Sequence, residues 1–390
     1  MKTFKTEELL TESPQSFHMI PVNEPLIAKN AKKYILNCLD TGWVSSAGAY
    51  IDQFEKKFAR FCECKYAVSC TNGTAALHLA LESLGIGKGD EVIIPTLTMI
   101  ATAFAVFYTG AKPILVDSEK DTYNINPDLI EEKITKKTKA IIPVHLYGHP
   151  VNMDPILKLA KKYRLYVIED AAEIHGGRYK GKMAGSLGDI GCFSFYANKI
   201  ITSGEGGMIV TNNKRVYQKA KMVKDLSHSP KKRFLHPQIG FNYRLTNLQA
   251  ALGLAQLEEV KKYLSIKRFM AKKYNQGLST IKGLILPVEK DYAFNVYWMY
   301  AVVVDKKGFG LSCEELRNRL YKEGVDTRAF FIPMHKQPVF KKLGWYKKEK
   351  YPVADKLSKA GFYLPSGLAI TSKQIDEVIN KIKKSAGETK

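Results

Sequence analysis

YAVSCTNGTAALHLALESLG, Tyr66 to Gly85, joins two hydrophobic periods across one polar turn. The opening run alternates small, aromatic and β-branched residues as a strand does. Beyond Asn72, Leu77, Ala80, Leu81 and Leu84 fall at i, i+3, i+4 and i+7, the stripe of an amphipathic helix, and Gly85 closes it. A strand running straight into a helix is half of a βαβ unit.

The same unit recurs downstream. EVIIPTLTM (91–99) precedes IATAFAVFYTG, KPILVD (112–117) precedes NPDLIEEKIT, KAIIPVHLYG (139–148) precedes MDPILKLAKKY, and LYVIEDAA (165–172) follows. Strands alternating with helices predict an α/β fold with a mainly parallel sheet sandwiched by helices. DIGCFSFY (189–196) and GGMIVTNN (206–213) read as the closing strands of that sheet. Leu245 to Leu278 reads as long helix leaving it. VYWMYAVVVD, SCEELRNRLYKEG, VDTRAFFIP and a last helix from TSKQIDEVINKIKKS read as a small C-terminal α+β domain. The division expected is a large domain over 1–255, with a mixed N-terminal lead-in, and a linker helix with the small domain over 256–390.

Composition narrows the class. With 390 residues and 45% hydrophobic content, the chain can bury two cores. No apolar run approaches the roughly 18 residues that span a bilayer, and the polar start has no signal-peptide core, so a cytoplasmic enzyme with no membrane partner is the expectation. Six cysteines (Cys38, Cys62, Cys64, Cys70, Cys192, Cys313) without C-x-x-C spacing point to neither a disulfide framework nor a metal site. The net charge of +22 raises nucleic acid as a partner, but the lysines are scattered doublets on helix surfaces with no interleaved aromatics. Solvated lysine faces, with no nucleic acid bound, are the expectation; an anionic substrate would gain from such a field. A regulatory or nucleic-acid-binding protein on the same scaffold would need a further module, and two domains already use the length.

Ligands of open α/β sheets sit at the carboxyl ends of strands, and three groups of residues fall there. Asn72, Gly73 and Thr74 open a helix, offering N–H groups, a hydroxyl and a dipole to a phosphate, or simple capping. VIEDAAEIHG brings Glu169, Asp170 and Glu173 off a buried strand, and buried carboxylates need partners. FSFYANKIITSGEGG (193–207) sets Lys199 before a glycine-rich turn, where it is either a solvated lysine or a desolvated, reactive amine. Together, a phosphate cradle, a strand-end aspartate and a later lysine are what pyridoxal 5'-phosphate requires.

Longer segments carry a resemblance. GWVSSAGAYIDQFEKKFA, NGTAALHLAL, GDEVIIPTLTMIATAFAV, PVHLYGHPVNMDPI, VIEDAAEIHGGRYKGKMAGSLGDIGCFSF, NKIITSGEGGMIVTN, IGFNYRLTNLQAALGLAQLE, NVYWMY and PMHKQPVF are similar to the DegT-type nucleotide-sugar aminotransferases, a fold type I pyridoxal phosphate family, over nearly the whole chain. The resemblance implies that Lys199 carries the Schiff base, Asp170 pairs with the pyridine nitrogen and Glu173 lies near the 3-hydroxyl. It implies that Gly73, Thr74 and Ser194 hold the phosphate, that Asn242 of NYR reaches the neighbouring subunit's phosphate, and hence a homodimer with shared active sites. Met99 stands where many relatives stack an aromatic ring on the cofactor; its sulfur can contact a π face. Arg244 and His335 are implied sugar-nucleotide contacts. Relatives that dehydrate their sugar have histidine at the position of Lys199, so lysine favours transamination. The implied reaction takes the amino group of L-glutamate through pyridoxamine 5'-phosphate to a 4-keto-6-deoxy sugar nucleotide. GDP-4-keto-6-deoxymannose is the expected acceptor and GDP-perosamine the product; another UDP- or dTDP-linked keto sugar, aminated at C3 or C4, is the alternative.

Overall fold

The computed structural model describes residues 19–229, 231–232 and 234–387. Two N-terminal helices, α1 (Ala31–Asp40) and α2 (Ala49–Phe61), precede the βα repeats. Seven strands follow in one sheet: β1 (Tyr66–Cys70), β2 (Glu91–Pro95), β3 (Lys112–Val116), β4 (Thr138–Ile141), β5 (Tyr166–Asp170), β8 (Ile190–Ser194) and β9 (Gly207–Thr211). The strands of a small side sheet, β6 (Arg178–Tyr179) and β7 (Lys182–Met183), lie between β5 and β8 in sequence and pair with β11 (Ala293–Phe294). The spatial order of the large sheet is β1-β9-β8-β5-β4-β2-β3. All its strands run parallel except β9, which is antiparallel to both neighbours.

Burial on both faces explains the near-continuous apolar runs. Val92 and Ile94 enter one core with α3 (Gly73–Ser83) and α4 (Ile100–Tyr108), whereas Ile93 enters another with Ile141, Val167 and the helix α5 (Met153–Tyr163). Alternate side chains thus feed opposite layers, as parallel sheets covered by helices require.

Where sequence predicts a helix over NPDLIEEKIT, the chain makes two 3-10 turns, Pro127–Leu129 and Glu131–Lys133. Asn126 caps the first with Pro127 at its start, Ile130 is buried at the junction, and Ile134 is already extended toward β4. The span is too short to close an α-helix before the next strand begins. The Leu245–Leu278 segment is likewise divided, into α7 (Asn247–Glu258) and α8 (Val260–Leu278), at Glu259. A capping box of Thr246 and Gln249 starts α7, which packs on α1 and α2.

The second core belongs to an antiparallel sheet of β10 (Leu284–Ile285), β12 (Tyr300–Val304), β14 (Gly361–Leu364) and β13 (Arg328–Ala329), covered by helices Cys313–Lys322 and Ser372–Gly387. α8 links the cores, with Val260 and Tyr263 in the first and Met270, Tyr274 and Leu278 in the second. Ile20 returns the N-terminal segment to the second core through a bridge with Val325. No helix among the described residues is long and apolar enough to cross a membrane.

Candidate active site

Three strand ends converge on a cavity of about 500 Å3. β1 delivers Asn72, whose side chain accepts the Ala75 N–H at 2.8 Å and so caps α3. The N–H groups of Gly73 and Thr74 lie in the first turn and have no acceptor within the helix. Gly73 is required by packing: a Cβ there would stand 2.8 Å from the Ser194 Cβ and 3.2 Å from its hydroxyl. The end of β8 and the start of α3 therefore meet, with Gly73, Thr74 and Ser194 lining one space.

β5 delivers the carboxyls. Asp170 is buried; its Oδ2 accepts from Thr102 Oγ1 at 2.8 Å and its Oδ1 from the Ala172 N–H at 3.2 Å. Thr102 spends its proton on Asp170, so Thr98, 3.1 Å away, donates to Thr102. Burial pushes the Asp170 carboxyl above its usual range, and the Thr102 and Ala172 bonds oppose that. A buried carboxylate left in this state gains from a cationic N–H partner. Glu173 Oε2 accepts the Tyr147 N–H at 2.8 Å, which leaves Oε1 4.0 Å from Lys199 Nζ. Burial also raises Glu173. Glu169, next to Asp170 in sequence, leaves the site for the opposite face. It accepts the N–H groups of Gly185, Leu187 and Gly188 and a bond from His145 Nε2, the protonated nitrogen because Nδ1 accepts from Val151.

Lys199 follows β8 on a loop folded back by Thr202 and Ser203 onto Phe195, with Gly204 at φ +79°. Only 10% of its side chain is exposed. Burial lowers its pKa, against the pull of Glu173 and Asp170. The Trp298 ring lies over Nζ at 3.6 Å, and Trp298 Nε1 donates to the Asn198 carbonyl at 2.8 Å.

Gly73, Thr74, Met99, Asp170, Glu173, Ser194 and Lys199 thus border one cavity. Met99 is 47% exposed at its rim and its sulfur accepts the Ala101 N–H at 3.0 Å. Three candidates lie elsewhere. Asn242 is exposed and accepts from Arg244 Nε at 3.0 Å, while Arg244 also pairs with Asp225 at 2.9 Å. His335 is not brought to the cavity, because Thr96 at 2.8 Å and Asp355 at 2.9 Å take both its ring nitrogens. Sequence reasoning passed over Thr98, Thr102, Trp298 and Tyr363. Trp298 was visible only as part of NVYWMY.

Known proteins align over almost all of this chain. The GDP-perosamine synthase of Escherichia coli O157:H7 is 44% identical over 363 residues, covering 93% of this chain and 97% of that protein. That of Vibrio cholerae is 40% identical over 94% of this chain and 98% of its own length. Among solved structures, DesV of S. venezuelae is 34% identical with a TM-score of 0.86, covering 92% of this chain and 94% of that one. The aminotransferase from Psychrobacter cryohalolentis is 31% identical with a TM-score of 0.89 over 95% and 99% of the two chains. The expected fold is thereby confirmed as that of fold type I aminotransferases, and the family pattern extends across residues 25–383: the chain belongs to the DegT/DnrJ/EryC1/StrS aminotransferase family.

Proposed function

We propose that the chain transfers the amino group of L-glutamate to C4 of GDP-4-keto-6-deoxymannose, yielding GDP-perosamine and 2-oxoglutarate, with pyridoxal 5'-phosphate bound in the cavity. The observation that carries this reading is a single buried amine, Lys199, sharing one space with Asp170, Glu173 and the bare start of α3. The cavity's chemistry fits the cofactor. A dianionic phosphate would be held by the Gly73 and Thr74 N–H groups, the Thr74 and Ser194 hydroxyls and the positive end of α3. Asp170, held by Thr102 and Ala172, would keep a ring nitrogen protonated. Glu173 would face the ring hydroxyl, and Met99 would offer its sulfur to the ring face. When bound, the cofactor supplies a carbonyl that captures amines and a ring that withdraws electrons from the adjoining carbon.

Residues of the chain perform the proton work. Lys199 Nζ, with its charge disfavoured by burial, would take the proton from the α-carbon of the amino donor and pass it to the adjoining carbon of the bound group; in the second half it would move a proton from that carbon to C4 of the sugar. Glu173 Oε1 fixes the side of the cavity on which Nζ rests, and the Trp298 ring keeps water from the other. The GDP-linked acceptor is supported by the three GDP-perosamine synthases at 40–44% identity over nearly their full lengths. We further propose a homodimer working in the cytoplasm, in which Asn242 and Arg244, outside their own cavity, serve the partner's.

The test is an absorbance spectrum and an acceptor panel. The purified chain with pyridoxal phosphate should show a visible-edge band that shifts on adding L-glutamate. Among GDP-, UDP- and dTDP-linked keto sugars, the GDP sugar should be aminated fastest. A chain that takes up no cofactor overturns the enzymatic reading, and a GDP sugar that is the poorest acceptor overturns the substrate.

A further inference from the structure

Lys267, in the middle of α8, is 1% exposed yet has no carboxylate beside it among the described residues. Its Nζ donates to two backbone carbonyls, that of Trp298 at 2.7 Å and that of Ser366. Ser366 is itself held at the junction of the cores: its N–H reaches Val22, and its hydroxyl accepts from Tyr300 at 2.9 Å and donates to Leu364 at 2.6 Å. Lys267 and Lys199 both border a second, small cavity of about 10 Å3 beneath Trp298, together with Asn23 and Asn198. Asn23 adds its own bond to the Asn198 carbonyl at 3.3 Å, the same atom that Trp298 Nε1 reaches. Burying a lysine without a counter-charge is unfavourable, and apolar residues fill such sites at lower cost.

We propose that Lys267 is a positioning residue for Lys199: its Nζ N–H groups pin the Trp298 backbone so that the indole lies over the Lys199 Nζ and steadies the Asn198–Lys199 peptide. The proposal rests on the reading of Lys199 as the reacting amine. It adds to that reading the idea that α8 and the small sheet set the dryness of the amine from behind. The groups facing Nζ are Glu173, Asp170, His175 and the Trp298 ring, and none of them belongs to α8. Lys267 therefore acts only through Trp298.

The test measures Lys199 directly, as the pH midpoint of its reaction with an amine-labelling reagent in the full, cofactor-free chain, quantified by peptide mass spectrometry. Lys267→Met should raise the midpoint toward the ordinary lysine value, because a loosened indole admits water to Nζ. Trp298→Ala should raise it equally, and the double variant should move it no further, since both act through one contact. In the cofactor-loaded chain, kcat should fall about tenfold in Lys267→Met with the KM for glutamate little changed. Lys267→Leu, which also removes the donor, serves where methionine prevents folding. Lys224→Met, which breaks a buried pair with Glu55 elsewhere in the fold, should lower the melting temperature and leave the midpoint in place. A folded Lys267 variant with an unmoved midpoint, or shifts that add in the double variant, overturns the proposal. Midpoint shifts in the variants as expected, with a wild-type chain that never binds pyridoxal phosphate, overturn the functional reading instead.

Discussion

Lys199 is one of 60 basic residues, and its surroundings alone set it apart. Replacing it with alanine should abolish amination, by at least about a thousandfold, and remove the cofactor's visible-edge band. Glu173 is the strongest of the groups that hold the Lys199 charge. Glu173→Gln keeps the shape and deletes that attraction, so the Lys199 labelling midpoint should move down, opposite to the shift from loosening Trp298. A midpoint that rises or stays would show that Glu173 does not face the amine in solution. Lys199 and Asp170 were legible because a lysine before SGEGG and an acid ending VIED are local patterns. Thr102 and Trp298 were not. Thr102 acts on Asp170 across 68 positions, and Trp298 on Asn198 across 100, and only packing brings such pairs together.

At the scale of elements, the α3 start was readable because Asn-Gly-Thr both caps a helix and leaves its first amides bare. What the sequence could not convey is why the second residue is glycine; that follows from the approach of β8. Gly73→Ala should push Ser194 aside and weaken pyridoxal phosphate binding about tenfold, read by absorbance titration, with little loss of fold. The Lys199 loop is held from behind by His175, which lies between Phe193 and Phe195, with ring planes 15° and 19° from its own, and accepts the Ile201 N–H at 3.2 Å. Burial lowers its pKa to about 3. Between the usual imidazole value near 6.5 and 3, the unfolded chain therefore binds a proton that the folded chain refuses, so stability is lost as pH falls through that window. His175→Phe removes the proton difference; urea unfolding between pH 6.5 and 4 should show a shallower decline, even though the lost Ile201 bond costs about 1 kcal/mol at every pH. The helix predicted at NPDLIEEKIT but not formed, and the break at Glu259, share one cause. Apolar spacing reports which residues are buried, and the distance to the next element decides whether a continuous helix fits.

Across the whole molecule, alternation of strands and helices was enough to predict the large sheet, since each strand repeats one local signal. The reversal of β9 and the return of Ile20 to the second core depend on tertiary closure and had no such signal. The residues that border the cavity all come from one chain, and Asn242 and Arg244 are not among them. These residues follow a surface segment in which Ile239 is 87% exposed, and Trp43 elsewhere is 57% exposed, apolar area of the kind that a second copy covers. Shared sites make a quantitative prediction. Lys199→Ala subunits and Asn242→Ala subunits should each be nearly inactive alone. In a heterodimer of the two, one cavity combines an intact lysine with an intact partner asparagine, and the other cavity lacks both. After equal mixing and random exchange, half of the dimers are heterodimers with one good site of two, so activity should recover to about a quarter of wild type. No recovery, in a mixture whose exchange is confirmed by mass, would place Asn242 in its own subunit's cavity, and an active Asn242→Ala homodimer would place it outside catalysis altogether.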